Sequence, residues 1–322
     1  TLAVPGTTSI LLTGGSTGYT SKVPDFLYPA SSTCSPPAFP DSRTEHVTFT
    51  TPSGLVATCG GRDGPRSGSP SLSTCLVLQA GKWQSDPRVP HLPAVRWGAT
   101  AASVPAGVVV MGGQENDDRR NLVASTSFVL RKNGSSWEEG PALPGDGAEY
   151  SCSVAVGELV FLLGGVREGE TSQVRELDTS TWEWQEEGKW PQLGGRGRTM
   201  HGCGVLNSQL IVAGGQEYMG GVSDMTATLD LGTRGARWQE GGRLKLARYF
   251  HAMVTMGAVG HEKLYALGGY NLGMLDSVEV WGEESRTWRE EQERLPKGKG
   301  YMGAVAVTEE AVCQKKKEGE EV

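Results

Sequence analysis

Three histidines, His46, His201 and His251, each follow an arginine by three residues: Arg43, Arg198 and Arg248. Neutral imidazole is a common metal ligand, so three rings facing one cavity would suggest an ion. These three, however, stand at matching places of a repeating pattern, one to a repeat. Ligands to one ion must converge to ~2.0–2.1 Å, which one residue per repeat around a ring does not reach. No metal is expected there. The arginines, with Arg96 at the same repeat position, have a second use. Guanidinium groups gathered at one mouth would bind a carboxylate or phosphate through paired N–H donors. The alternative is that they brace one repeat against the next by hydrogen bonds to carbonyls. Six cysteines, Cys34, Cys59, Cys75, Cys152, Cys203 and Cys313, contain no C-x-x-C pair, so zinc is not indicated. Glu115, Asp117 and Asp118 form an acidic loop that would suit calcium, although such a cluster is more often a solvated turn. No G-x-S-x-G, H-E-x-x-H or phosphate loop is present. The expectation is a protein that is not an enzyme and holds no cofactor.

The elements that would position these residues are repeats. A pair of glycines ends six apolar runs: Gly14-Gly15, Gly60-Gly61, Gly112-Gly113, Gly164-Gly165, Gly214-Gly215 and Gly268-Gly269. Their spacings are 46, 52, 52, 50 and 54 residues. In five repeats a tryptophan follows the glycines: Trp83, Trp137, Trp182 or Trp184, Trp238 and Trp288. Turns such as VPHLPAVR and GPALPGDG come next, then another apolar run. The best-formed repeat reads as four short strands: HAMVTM, KLYALGG, SVEVWG and TWREE. Forty-six glycines and 17 prolines suit a turn-dense all-β chain. Net charge is −7, so nothing favours nucleic acid as a partner. No apolar stretch reaches the ~18 residues of a membrane span.

The double glycines, the offset tryptophans and the R-x-x-H repeat starts resemble the kelch family over nearly the whole chain. That family's repeat is ~50 residues long. The resemblance implies a six-bladed β-propeller with a binding role and names no substrate. TCSPPAFPDSRTEH, LVATCGG, LSTCLVL, YSCSVAV, HGCGVL and AVC further resemble segments of secreted, cysteine-bearing invertebrate kelch proteins. Two departures stand out. Blade one lacks the tryptophan, with Cys34 near its slot, and blade four has Gly147 where others carry the arginine. Copper radical oxidases carry a kelch-type propeller, but their tyrosine, cysteine and histidine set has no counterpart here. A sialidase box is only echoed by SQVRELDTSTW.

The termini indicate how the ring closes. The chain opens on the second strand of blade one, and GYMGAVAV near its end resembles a first strand. Gly303 to Val307 is therefore expected innermost in blade one. Residues 1–313 would be one propeller domain and 314–322 a mobile charged tail. Cys59 and Cys75 fall on neighbouring strands and are expected to pair. Cys152 and Cys203 hold equivalent places in adjacent blades and are expected to link them. Cys34 and Cys313 then remain for a bond across the closure. A chain starting at Thr1 fits a mature secreted protein, and equally an expressed piece. Asn133-Gly134-Ser135 is a glycosylation sequon, usable only if the chain is secreted. The leading reading is an extracellular propeller that binds a macromolecule through its loops, RDGPRSGSPSLST, QENDDRRNLVAST, VREGETSQ and QEYMGGVSDMT. A lectin-like protein using Tyr218, Tyr270 and Trp97 on a glycan is one alternative. A cytoplasmic kelch adaptor is another.

Overall fold

The structure is a computed structural model that describes residues 9–19, 22, 24–28, 35–64, 68–115, 123–145, 147–167, 169–194, 197–217, 220–258 and 260–312. Five four-stranded antiparallel sheets and a three-stranded one are the blades, with two small sheets in the loops. Blade two holds Val47–Thr50, Val56–Cys59, Cys75–Gln79 and Lys82–Gln84. Blade three holds Thr100–Val104, Gly107–Met111, Ser127–Arg131 and Trp137–Glu139. Blade four holds Cys152–Val156, Leu159–Leu163, Val174–Asp178 and Glu183–Trp184. Blade five holds Gly202–Leu206, Gln209–Ala213, Thr226–Asp230 and Gln239–Gly241. Blade six holds Ala252–Met256, Lys263–Leu267, Ser277–Gly282 and Thr287–Arg294.

Blade one is assembled from both ends of the chain. Ser9–Thr13 pairs on one side with Asp25–Leu27 and on the other with Gly303–Val307, Thr13 facing Gly303 and Ser9 facing Val307. The six innermost strands then touch in a cycle, Gly303–Val307 lying between Ala252–Met256 and Val47–Thr50.

The apolar core is divided among the gaps between blades. The gap between blades two and three is filled by Phe49, Val77, Val110 and Phe128. The gap between blades six and one is filled by Val254, Leu267, Ile10 and Leu12. Second strands such as GVVVM are buried from end to end because both faces meet a neighbouring blade, so they read as unbroken apolar runs. The outer strand TWREEQER buries its tryptophan and exposes most of the rest.

The Gly-Gly pair follows from crowding where one blade meets the next. The second glycine of every pair donates its N–H to the residue that opens the next blade. The acceptors are the carbonyls of Arg43, Arg96, Ala148, Arg198, Arg248 and Lys299, at 2.7–2.9 Å. The first glycine lies against the same carbonyl. At Gly214, with φ +64°, a Cβ would stand 2.6 Å from the Arg248 oxygen. Only glycine combines that backbone with that approach. In blade four the residue equivalent to the arginine is Ala148, not Gly147. The tryptophans tie blades together from outside. The Nε1 of Trp83, Trp137 and Trp238 donates to the carbonyls of Pro37, Pro90 and Pro191, each in the turn before its own blade. The proline-bearing turn and the tryptophan are thus two halves of one contact.

Candidate functional site

First strands begin and second strands end at one mouth of the central channel, and the loops between second and third strands surround it. Each blade enters there through a short segment: Arg43 to His46, Arg96 to Ala99, Ala148 to Ser151, Arg198 to His201, Arg248 to His251 and Lys299 to Met302. The third residue of each segment, Glu45, Gly98, Tyr150, Met200, Phe250 or Tyr301, has a left-handed φ between 52° and 63°. For a non-glycine residue this costs about 1–2 kcal/mol. A closed circle of hydrogen bonds holds it in place. The Glu45 amide donates to Tyr301 O at 3.1 Å, Gly98 to Glu45 at 3.0 Å and Tyr150 to Gly98 at 2.8 Å. Met200 donates to Tyr150 at 3.1 Å, Phe250 to Met200 at 3.0 Å and Tyr301 to Phe250 at 3.0 Å.

The side chains of this circle gather over the axis. Phe250 stacks on Tyr301 with centroids 3.8 Å apart and meets the Tyr150 ring edge-on at 5.2 Å. Tyr150 reaches over Gly98, where a Cβ would come within 3.1 Å of its ring, and its hydroxyl donates to Glu45 Oε1 at 3.3 Å. Beneath lies a cavity of about 150 Å³ lined by Glu45, Tyr150, Met200, Phe250, Tyr301 and the three histidines. Deeper in the channel, Cys152 and Cys203 are bonded between the inner strands of blades four and five, Cα atoms 6.0 Å apart.

Burial sets the charge of these groups. It drives the Glu45 carboxyl up to about 7, against the opposing pull of Arg62 and of the Tyr150 hydroxyl. It also raises the Glu149 carboxyl, which accepts a hydrogen bond from Gln114 Nε2. Burial, helped by the neighbouring arginines, pushes His46 and His201 down to about 3 and His251 well below its ordinary value. All three rings are neutral near pH 7. His46 shares a 2.9 Å hydrogen bond with Thr13, while both nitrogens of His201 and His251 are buried without a partner. Among the described residues no three potential ligands stand close enough to share a metal.

The arginines do not line the mouth, which corrects the anion-binding expectation. Arg43, Arg96, Arg198 and Arg248 are buried and turned into their own blades. Arg43 binds the carbonyls of Gly60 and Thr74, and Arg96 that of Gly112. Arg198 binds the Met225 carbonyl, and Arg248 those of Gly268 and Ser277. Asp41, Glu115, Glu217 and Glu279 complete the four pairs. A guanidinium so engaged has no free fork for a ligand. Trp97 is also no exposed platform: it is buried, with Arg62 stacked 4.5 Å above it. Tyr270 is half-buried at the mouth, 5.5 Å from Tyr249. Tyr218, Asp117 and Asp118 lie outside the described residues, as do Cys34, Cys313 and the tail 314–322. Cys59 and Cys75 face each other across neighbouring strands of blade two and are bonded, Cα atoms 4.1 Å apart. Asn133 is exposed on a turn at the opposite end of blade three.

The mouth residues Glu45, Tyr150, Met200, Phe250 and Tyr301 went unnoticed in the sequence. Their signal is positional: each is second after the residue that opens its blade. Their types differ from repeat to repeat, so the repeat pattern itself hides them.

No family model matches the chain. Over 111 residues it is 37% identical to Kelch-like protein 33 of Homo sapiens. That stretch covers 34% of this chain and 20% of the human protein, so the match spans about a fifth of the relative's length.

Proposed function

We propose that this chain, whose repeats are of the kelch type, is a non-enzymatic scaffold that binds another protein at the aromatic mouth of its channel. One observation carries the reading. Tyr249, Phe250, Tyr270 and Tyr301 form a continuous half-buried cluster. Beside it, the loop after Tyr270 presents Leu272 with 98% of its surface exposed. Aromatic residues at the centre of a rigid patch are the usual anchors of a protein interface. Such a Leu, held on a tight turn with φ 58°, gains most from burial against a partner. The human relative's name supports kelch-type repeats, and the partner here is a separate matter.

An extracellular setting is the finer part of the proposal. Its support is the two bonded cysteine pairs and the exposed Asn133 of an N-x-S sequon. Disulfides persist in oxidising compartments and are rare in the cytosol. A glycan on Asn133 would sit on the face opposite the mouth and leave it open. In a reducing compartment the same propeller would act as a cytoplasmic adaptor. Mass measurement before and after reduction and deglycosylation of the protein from its natural source separates the two settings.

Photo-crosslinking tests the mouth itself. A photoreactive residue is placed at Leu272 and, in a second variant, at Ser208 on the opposite face. Protein adducts from position 272 and none from 208 are expected. Adducts confined to 208 would overturn the choice of face.

A further inference from the structure

We propose that the mouth cavity receives one basic side chain, arginine or lysine, of the bound partner. This rests on the protein-binding reading above and adds the chemistry of the group recognised. Size comes first. About 150 Å³ is well below the ~300–1,000 Å³ of pockets that enclose a drug-sized ligand, and it suits a single side chain.

The lining then chooses among side chains. Tyr150, Phe250 and Tyr301 offer aromatic surface, whose negative faces attract an ammonium or guanidinium group. Glu45 supplies the carboxylate. Its side chain is only 11% exposed, and its Oε2 is buried without a hydrogen-bond donor. The nearest cation, Arg62 Nη1, is 3.9 Å away, beyond hydrogen-bond length, and its guanidinium is committed to the face of Trp97. A buried acceptor without a donor is costly, and an entering N–H donor removes that cost.

No arginine or lysine is among the residues that line the cavity, and Arg62 borders Glu45 from outside that lining. The charged and titratable groups that bear on Glu45 are Arg62, Glu149, Tyr150 and Tyr301, with Arg43 and Lys299 acting on His46 behind it. The histidine floor is neutral, and the Arg43, Arg198 and Arg248 guanidiniums are occupied inside their blades. An anionic side chain could take an N–H from the neutral histidines but would be repelled by ionised Glu45. Binding of a cation favours ionised Glu45, so affinity should rise as pH increases from 6 to 8.

The test uses the whole chain with 13C-labelled methionine methyls, because Met200 and Met302 line the cavity. The probes are acetylated, amidated Gly-X-Gly tripeptides with X as arginine, lysine, citrulline or glutamate. Saturable shifts of both methyls are expected with arginine or lysine. Citrulline keeps the shape of arginine without its charge and should bind at least tenfold more weakly. Glutamate should leave the spectrum unchanged. Glu45→Gln should weaken the basic peptides tenfold or more while its melting temperature is no lower than that of the unaltered protein. Should that variant fold poorly, the comparison of arginine with citrulline on the unaltered protein decides. Equal binding of arginine and citrulline, or no shift with either basic peptide, would overturn the proposal. Crosslinks at position 272 would survive that outcome, so failure here is distinct from failure of the protein-binding reading.

Discussion

The mouth histidines and Glu45 make opposite demands on pH. Burial depresses the folded-state pKa of His46, His201 and His251 below the ordinary value of 6.5. Their contribution to stability is complete above pH 6.5 and is lost as pH falls toward the folded values, because only the unfolded chain takes up protons there. Each such proton contributes a slope of at most about 1.4 kcal/mol per pH unit. Glu45 works the other way. Its folded pKa is raised from 4.5 to about 7, so its contribution is complete below pH 4.5 and is lost as pH rises through 7. Two outcomes follow for denaturant unfolding. His201→Gln should flatten the loss of stability between pH 6.5 and 4. Glu45→Gln should stabilise by about 1–3 kcal/mol at pH 8 and do little at pH 4. The sequence marked the histidines by repeat position, yet neither their neutrality nor the importance of Glu45 was legible there. Both depend on how closely six entrance segments crowd the axis, a distance that no single repeat encodes.

At the scale of the element, the blade joint is a carbonyl clasped by two glycines, and an arginine whose side chain braces the strands behind it. Gly214→Ala forces a Cβ against the Arg248 carbonyl and a left-handed φ on alanine. Gly188 has a similar positive φ of 85° with open space around it. Backbone strain alone should cost Gly188→Ala about 1 kcal/mol. Gly214→Ala should cost clearly more, and chemical denaturation compares the two directly. Arg248 and Glu279 are both fully buried and ion-paired. Arg248→Ala strands the carboxylate and should cost about 3–5 kcal/mol, whereas Arg248 and Glu279 replaced together by apolar residues should cost less. Equal loss in the single and double variants would mean that the stranded charge is not the cause. Glycine pairs, tryptophans and apolar runs were readable as blades because each is a local consequence of packing on both faces. The direction of the arginine was not. A repeat position places the Cα at the channel mouth, but the carbonyls that attract the guanidinium lie within the blade, at ends of its second and third strands some 16–31 residues further along the chain.

For the whole molecule, the ring is the unit of stability. Six interblade cores can all be filled only if blade one receives its inner strand from residues 303–307. The closure was legible because a first-strand pattern stood at the wrong end of the chain, and the paired register of Thr13 with Gly303 gives it a geometry. What the termini could not reveal is the second closure, the circle of amide bonds. In that circle Tyr301 both donates to Phe250 and accepts from Glu45. A chain ending at residue 300 would lose the inner strand, break the circle at two bonds and bare the edge of Ser9–Thr13. An unpaired edge of apolar residues also invites self-association. Calorimetry of that truncated chain should show no cooperative transition, or a broad one well below that of the full chain, together with aggregation. A chain ending at 312 keeps the strand and the circle and should melt as one cooperative unit. A truncated chain ending at 300 that melted sharply at the full-length temperature would mean that the blades hold together without the ring.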